Sequence, residues 1–146
     1  MTLRITKGLT PVILGGFIYL TYRTDSLLMF GWFNTIGLTE YIKILRTSDW
    51  LHSTTIPNWV IYSLPDALWL FSFTYTTLLL WNFKINKHSI FWICLAPFIG
   101  LSSELGQMIG FIPGTFDVLD LVMLLFASAL PFIFVTNRKT KNTKDA

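Results

Sequence analysis

Four polar residues fall into two pairs with one spacing. Glu104 and Gln107 stand three residues apart, and so do Asp117 and Asp120. Residues at i and i+3 share a helix face. Carboxylates and amides gathered in this way are hard oxygen donors of the kind that hold Mg²⁺, Ca²⁺ or Mn²⁺. Carboxylates held close together also divide a proton between them and serve as general acid and base. The segment joining the pairs, Gly110-Phe111-Ile112-Pro113-Gly114-Thr115, carries a Pro-Gly turn signal. A short turn makes the flanking helices antiparallel neighbours and brings all four residues to one level. Ser63-Leu64-Pro65-Asp66 enters at that level from another helix, and Arg23 and Asp25 follow the first apolar stretch.

Some of these residues have purely structural uses. Ser63 with Asp66 three residues later reads as a capping box, and Pro65 suits a first turn. Asp117 and Asp120 lie where carboxylates stabilise a helix N-terminus. Glu104 has no such use, because it falls in the C-terminal half of its helix, where the dipole disfavours negative charge. Zinc is not indicated: His52 and His88 fall on opposite sides of the membrane, and Cys94 lies in the cytoplasmic half of its span. The sequence holds no glycine-rich phosphate loop and no serine nucleophile elbow.

The elements that position these groups are apolar and long. Of the 146 residues, 53% are hydrophobic and 13% charged, and the mean hydropathy is +0.57. That balance excludes a disordered chain. A single cysteine excludes a disulfide scaffold. Basic residues in scattered pairs exclude a nucleic-acid stripe. The expected fold is all-α, a polytopic membrane protein with four transmembrane helices. The spans are expected at about residues 8–22, 64–83, 89–109 and 117–135, joined by an outer loop over 23–58. Residues 1–136 form one transmembrane domain, and 137–146 a basic cytoplasmic tail. Arg4 and Lys7 before an apolar run resemble a signal sequence, but no small-x-small cleavage site follows, so a retained anchor helix is expected.

Four spans put both termini and the loop between the second and third spans on one side. That side holds Arg4, Lys7, Lys84, Lys87, Arg138, Lys139, Lys141 and Lys144, eight of the 11 basic residues. The positive-inside rule makes it the cytoplasm. The acids sort the other way: Asp25, Glu40, Asp49, Asp66, Glu104, Asp117 and Asp120 lie at or near the outer face, and only Asp145 lies inside. Insertion depends little on acids, so their placement points to function. Glu104 is fifteen residues beyond Ser89, roughly 22 Å along a span that crosses a core about 30 Å thick. It is expected inside the hydrocarbon layer, facing the bundle or a wet cavity.

The outer loop is too apolar to be disordered. Leu27, Leu28, Met29, Phe30, Trp32 and Phe33 form an apolar patch. Leu38, Tyr41, Ile42 and Leu45 recur at helical spacing, with Thr39, Glu40, Lys43, Arg46 and Thr47 opposite. This predicts an amphipathic helix that lies in the outer interface or caps the bundle. Trp32, Trp50, Trp59, Tyr19, Tyr22 and Tyr62 cluster near the same boundary, as an aromatic belt does.

The stretch Glu104-Leu105-Gly106-Gln107, Ile112-Pro113-Gly114-Thr115-Phe116-Asp117 and Asp120-Leu121 resembles the VanZ-like family of small bacterial membrane proteins. In that family a helix ending Glu-x-x-Gln precedes a Pro-Gly turn, an aspartate pair and a last helix. Tyr22-Arg23-Thr24-Asp25 is similar too. The family usually has Arg after the Pro-Gly turn, where this chain has Thr115. It often has Asn-Gly in the last helix, where Leu124 to Ala129 are apolar or small. The resemblance implies a place in the bacterial envelope, its founder being linked to glycopeptide resistance, and implies no particular reaction.

The expectation is therefore a multi-pass protein of the bacterial inner membrane that binds an outer-leaflet lipid-linked or cell-surface molecule at the carboxylate cluster. Glu104 and Asp120 form its core as the candidate catalytic residues. Gln107, Asp117, Asp66, Arg23 and Asp25 are the candidate binding residues. No metal ligand is assigned, although a divalent cation suits the donor set. The bilayer is an expected partner and nucleic acid is not. One alternative is a hydrolase or transferase with Glu104 as general acid or base. Another is an accessory subunit whose polar cluster only fixes helix packing.

Overall fold

The computed structural model describes residues 2–25, 27–47 and 55–135. Asp49, Trp50, His52 and the basic tail, on which readings above depend, lie outside the described residues. Every regular element among the described residues is helical. The order is α1 (Thr2–Tyr22), α2 (Leu28–Thr35), α3 (Thr39–Arg46), α4 (Asn58–Tyr62), α5 (Leu64–Leu80), α6 (Lys87–Met108) and α7 (Val118–Ala129). A 3₁₀ turn, Leu130–Phe132, continues α7.

Two helices, Lys87–Met108 and Val118–Val135, are long and apolar enough to cross a membrane. The other two expected spans differ from their anticipated bounds. The first begins at Thr2, a turn and a half before Gly8, so that Arg4 and Lys7 lie on the helix itself. Lys7 sits with its Nζ 5.1 Å from the centre of the Phe134 ring, a cation–π contact that keeps the charge near the end of α7. The second stops at Leu80 rather than Phe83. There the backbone closes in a Schellman motif. The Asn82 N–H donates to Leu79 O at 2.9 Å and the Phe83 N–H to Leu78 O at 2.7 Å. Asn82 takes the left-handed conformation (φ 51°) that this cap requires, and Phe83 folds back into the core.

Helix α6 starts two residues earlier than Ser89 because Asn86 caps it. Its side chain accepts from the N–H groups of His88 (3.0 Å) and Ser89 (2.9 Å), while Ser89 Oγ accepts from the Asn86 N–H at 2.9 Å. The capping box expected at Ser63 does not form. Ser63 is itself helical (φ −93°, ψ −39°) and its side chain makes no cap bond. Its N–H already donates to Trp59 O at 3.0 Å. Helix α4 runs almost directly into α5, so no helix end is left at Ser63 to cap.

Helix α5 is the centre of the bundle, packed against α1, α6 and α7. Two apolar clusters hold it. Tyr75, Leu78, Phe83, Ile93 and Val135 fill the half towards Lys84 and Lys87. Ala67, Leu70, Leu124 and Ala127 fill the half towards Asp66. The seam with α1 uses small residues, as close helix packing in apolar surroundings does. Ser72 Oγ donates to Gly8 O, and Trp69 Nε1 donates to Val12 O at 3.3 Å. A Cβ on Gly15 would lie 2.8 Å from Trp69 Nε1 and 3.1 Å from Pro65 O.

The segment over 23–58 contains the amphipathic helix expected at Leu38–Leu45, as α3, and a second helix, α2, formed by much of the apolar patch. The apolar stripe of α3 divides: Ile42 and Leu45 are half-buried, while Tyr41 is 72% exposed. Arg46 ties α3 to the end of α1. It donates from Nε to Leu20 O at 2.7 Å and from Nη2 to Arg23 O at 2.5 Å. It thereby satisfies carbonyls that the end of α1 leaves without helical partners.

Candidate functional site

A cavity of about 740 Å³ lies at one end of the bundle, where α1 and α6 finish and α5 and α7 begin. Arg23, Asp66, Glu104, Gln107, Asp117 and Asp120 all line it. Arg23, the start of α5, the end of α6 and the start of α7 therefore converge on one cavity.

Backbone geometry explains how. Helix α6 ends in a second Schellman motif, with Gly110 (φ 72°) in the left-handed position. The Gly110 N–H donates to Gln107 O at 3.0 Å and the Phe111 N–H to Gly106 O at 2.8 Å. The loop then folds back onto the helix it has just left. Ile112 rests on Gly106, where a Cβ would lie 2.7 Å from Ile112 Cδ1. Gly114 rests on Gln107: a Cβ there would be 2.5 Å from Gln107 Oε1, and its φ of 147° disfavours any side chain. Gln107 is thus pressed into place and donates from Nε2 to Glu104 Oε1 at 3.2 Å. Asp117 caps α7 by accepting from the Leu119 N–H at 2.8 Å, as its structural reading requires. Its own backbone N–H faces the Glu104 carboxylate.

Glu104 is 9% exposed. Only one of its oxygens is engaged by Gln107. Oε2 is buried with no hydrogen-bond partner, and so is Asp120 Oδ1. Asp66, in the first turn of α5, lies within the electrostatic reach of both Arg23 and Asp120. The one basic side chain among the described lining residues is Arg23. Its guanidinium stands 5.2 Å from the Tyr19 ring centre and 5.0 Å from that of Tyr62, and its Nε is buried without a partner. Four carboxylates and one guanidinium therefore line a single cavity with hydrogen-bonding capacity unmet on both signs of charge. Unpartnered buried polar atoms are rare in folded proteins, because each costs about 1–3 kcal/mol.

Asp25 is not part of this group. It pairs with Arg46 Nη1 and lines a separate cavity of about 290 Å³ between α2 and α3. The chain turns after Arg23, so two residues that are neighbours in sequence face different partners. Among the described residues, no three His, Cys, Asp or Glu side chains gather closely enough to hold a metal ion. Cys94 is exposed and free.

The cavity also contains Asn58, Trp59, Tyr62, Ser63 and Thr115, which sequence reasoning did not assign to it. Trp59 and Tyr62 read as belt aromatics and Ser63 as a cap. The signal that finds them is the run Trp59, Tyr62, Ser63 and Asp66, which repeats at helical spacing and shares one face once α4 and α5 are nearly continuous. Compared with known proteins, the chain matches no protein-family model, no curated protein and no solved structure.

Proposed function

We propose that the chain is a VanZ-like protein of the bacterial inner membrane, with α1, α5, α6 and α7 as four spans and both termini in the cytoplasm. Its acidic cavity opens on the outer side and binds a lipid-linked or cell-surface molecule. The arrangement of charge along the bundle supports the orientation. Arg4, Lys7, Lys84 and Lys87 mark one end, and Asp66, Glu104, Asp117 and Asp120 the other. Helix length agrees: α5, with 17 residues, reaches about 26 Å, most of a bilayer core.

The observation that carries the binding role is the pair of bare oxygens, Glu104 Oε2 and Asp120 Oδ1, buried beside an open volume. A polar network built only to fix helix packing closes its own hydrogen bonds. This one leaves acceptors unmet on two residues that line a space large enough for a small molecule or headgroup.

The test uses isosteric changes in a strain lacking the gene. Wild-type chain is expected to restore the strain's resistance to cell-wall-directed agents. Glu104→Gln and Asp120→Asn, expressed in the membrane at equal level, are expected to fail. Full complementation by both variants would sink the proposal.

A further inference from the structure

A second cavity, of about 480 Å³, adjoins the acidic one and shares Asp66 and Glu104 with it. Apart from Ser103 its other walls are apolar, among them Trp69 and Phe73 from α5 and Ile99 and Gly100 from α6. Phe73 and Ile99 are exposed on the outer surface of the bundle. The groove therefore runs from the bilayer-facing side, between α5 and α6, to the carboxylates. A bare glycine sits in its wall. A Cβ on Gly100 would stand in ordinary contact, 3.8–3.9 Å, with Leu70 and Leu124, which also line the groove, so a longer side chain there would compete with whatever occupies it.

An apolar channel that ends on carboxyl groups beside a guanidinium matches an amphiphile, and the unmet polar atoms specify its head. Arg23 Nε lacks an acceptor, while Glu104 Oε2 and Asp120 Oδ1 lack donors. A phosphate oxygen supplies the first and a protonated amine, with three N–H donors, the other two. The aromatic rings of Tyr62 and Trp59 in the same cavity suit a cation as well. The described acids are not gathered as metal ligands, which favours an ammonium over a divalent ion bridging to the phosphate.

We infer that the protein takes up a membrane amphiphile from the side, its acyl chain in the α5–α6 groove, its phosphate at Arg23 and its amine among Glu104, Asp120 and Asp66. The inference rests on the ligand-binding reading above and narrows it to a phosphate-and-amine head that arrives through the bilayer. A phosphoethanolamine lipid is the simplest molecule of that kind.

The experiment offers the purified full chain an equimolar mixture of phosphatidylethanolamine and phosphatidylglycerol with identical acyl chains, and counts retained lipid by native mass spectrometry. The expected preference for the amine lipid is about tenfold, the value of one charge-assisted contact. Gly100→Leu is expected to lower its retention by a similar factor. The same variant is expected to bind glycerophosphoethanolamine, the head without chains, as the native chain does. Equal retention of the two lipids by the native chain would overturn the inference with no variant needed. So would undiminished retention by a folded Gly100→Leu chain. If that happens while Glu104→Gln still abolishes complementation, the groove fails and the acidic site stands. If Glu104→Gln is silent too, both fail.

Discussion

Glu104 is held by a bond from Gln107 and faced by the Asp117 N–H, yet one of its oxygens, Oε2, is left without a partner. A buried carboxylate with an unmet oxygen destabilises the fold that contains it. Glu104→Gln, which removes the charge and keeps the shape, is therefore expected to raise stability by about 1 kcal/mol or more while abolishing binding. Denaturant or thermal melts in detergent read this directly. A loss of stability instead would mark Glu104 as a packing residue and favour the accessory-subunit alternative. Gly114→Ala is expected to act in the opposite direction, costing about 1–3 kcal/mol. At φ 147° a side chain is strained, and its Cβ would strike Gln107 Oε1. Gly114→Ala is expected to weaken binding as well, by displacing Gln107, and Gln107→Ala separates the two effects: it is expected to weaken binding without imposing the backbone strain. Most of this site is readable from residue type and spacing, because the Glu104–Gln107 and Asp117–Asp120 pairs sit on opposite sides of a Pro-Gly turn. Asp25 is not, because its partner Arg46 lies 21 residues away on a helix whose docking no local pattern specifies.

At the level of elements, helix ends decide the geometry more than helix interiors do. Two Schellman motifs, after α5 and after α6, and one capping box, before α6, fix where the bundle's helices stop and start. The second of these motifs contains a glycine and is legible in the sequence. The first uses Asn82 and Phe83, a pair without glycine, so the apolar run to Phe83 reads as three more residues of helix. The residue pattern at Ser63 reads as a capping box only if α5 starts freely; with α4 feeding α5, the Ser63 N–H that the box would serve is already bonded to Trp59 O. Arg46 performs the corresponding task for α1 from a distance. Arg46→Ala is expected to release α3 from the end of α1 and to cost about 1.5–3 kcal/mol, the range for hydrogen bonds to a charged group. Hydrogen exchange is expected to rise in α3 and in the last turn of α1, with α6 and α7 unchanged. Exchange that rises equally everywhere would contradict so local a role.

For the whole molecule, packing gathers α1, α6 and α7 around α5, and the charge pattern supplies the proposed topology. Reporter fusions at Lys87 and at the C-terminus are expected to score cytoplasmic, and one inserted between α3 and α4 external. A cytoplasmic score for the last would place the acidic cavity on the wrong side of the membrane for an outer-leaflet ligand. The apolar exterior agrees with a lipid setting: Phe98 is 70% exposed and Phe126 63%, residues that water would drive inward. The order of packing could not be read from composition. Hydropathy marks α1 and α5 as apolar segments, but only the glycines at positions 8 and 15, meeting Thr76, Trp69 and Pro65, show that these two are partners.

That partnership has a consequence for the cavity. Every acid in its wall belongs to α5, α6 or the loop and helix that follow, whereas Arg23 arrives with α1, whose seat is the glycine seam on α5. The positive and negative halves of the site are thus carried by two separately seated pieces. A zwitterion that bridges them works as a tie across that seam, so ligand affinity and the seating of α1 become one equilibrium. Amides along α1, far from any carboxylate, then report occupancy of the site through their slowed exchange.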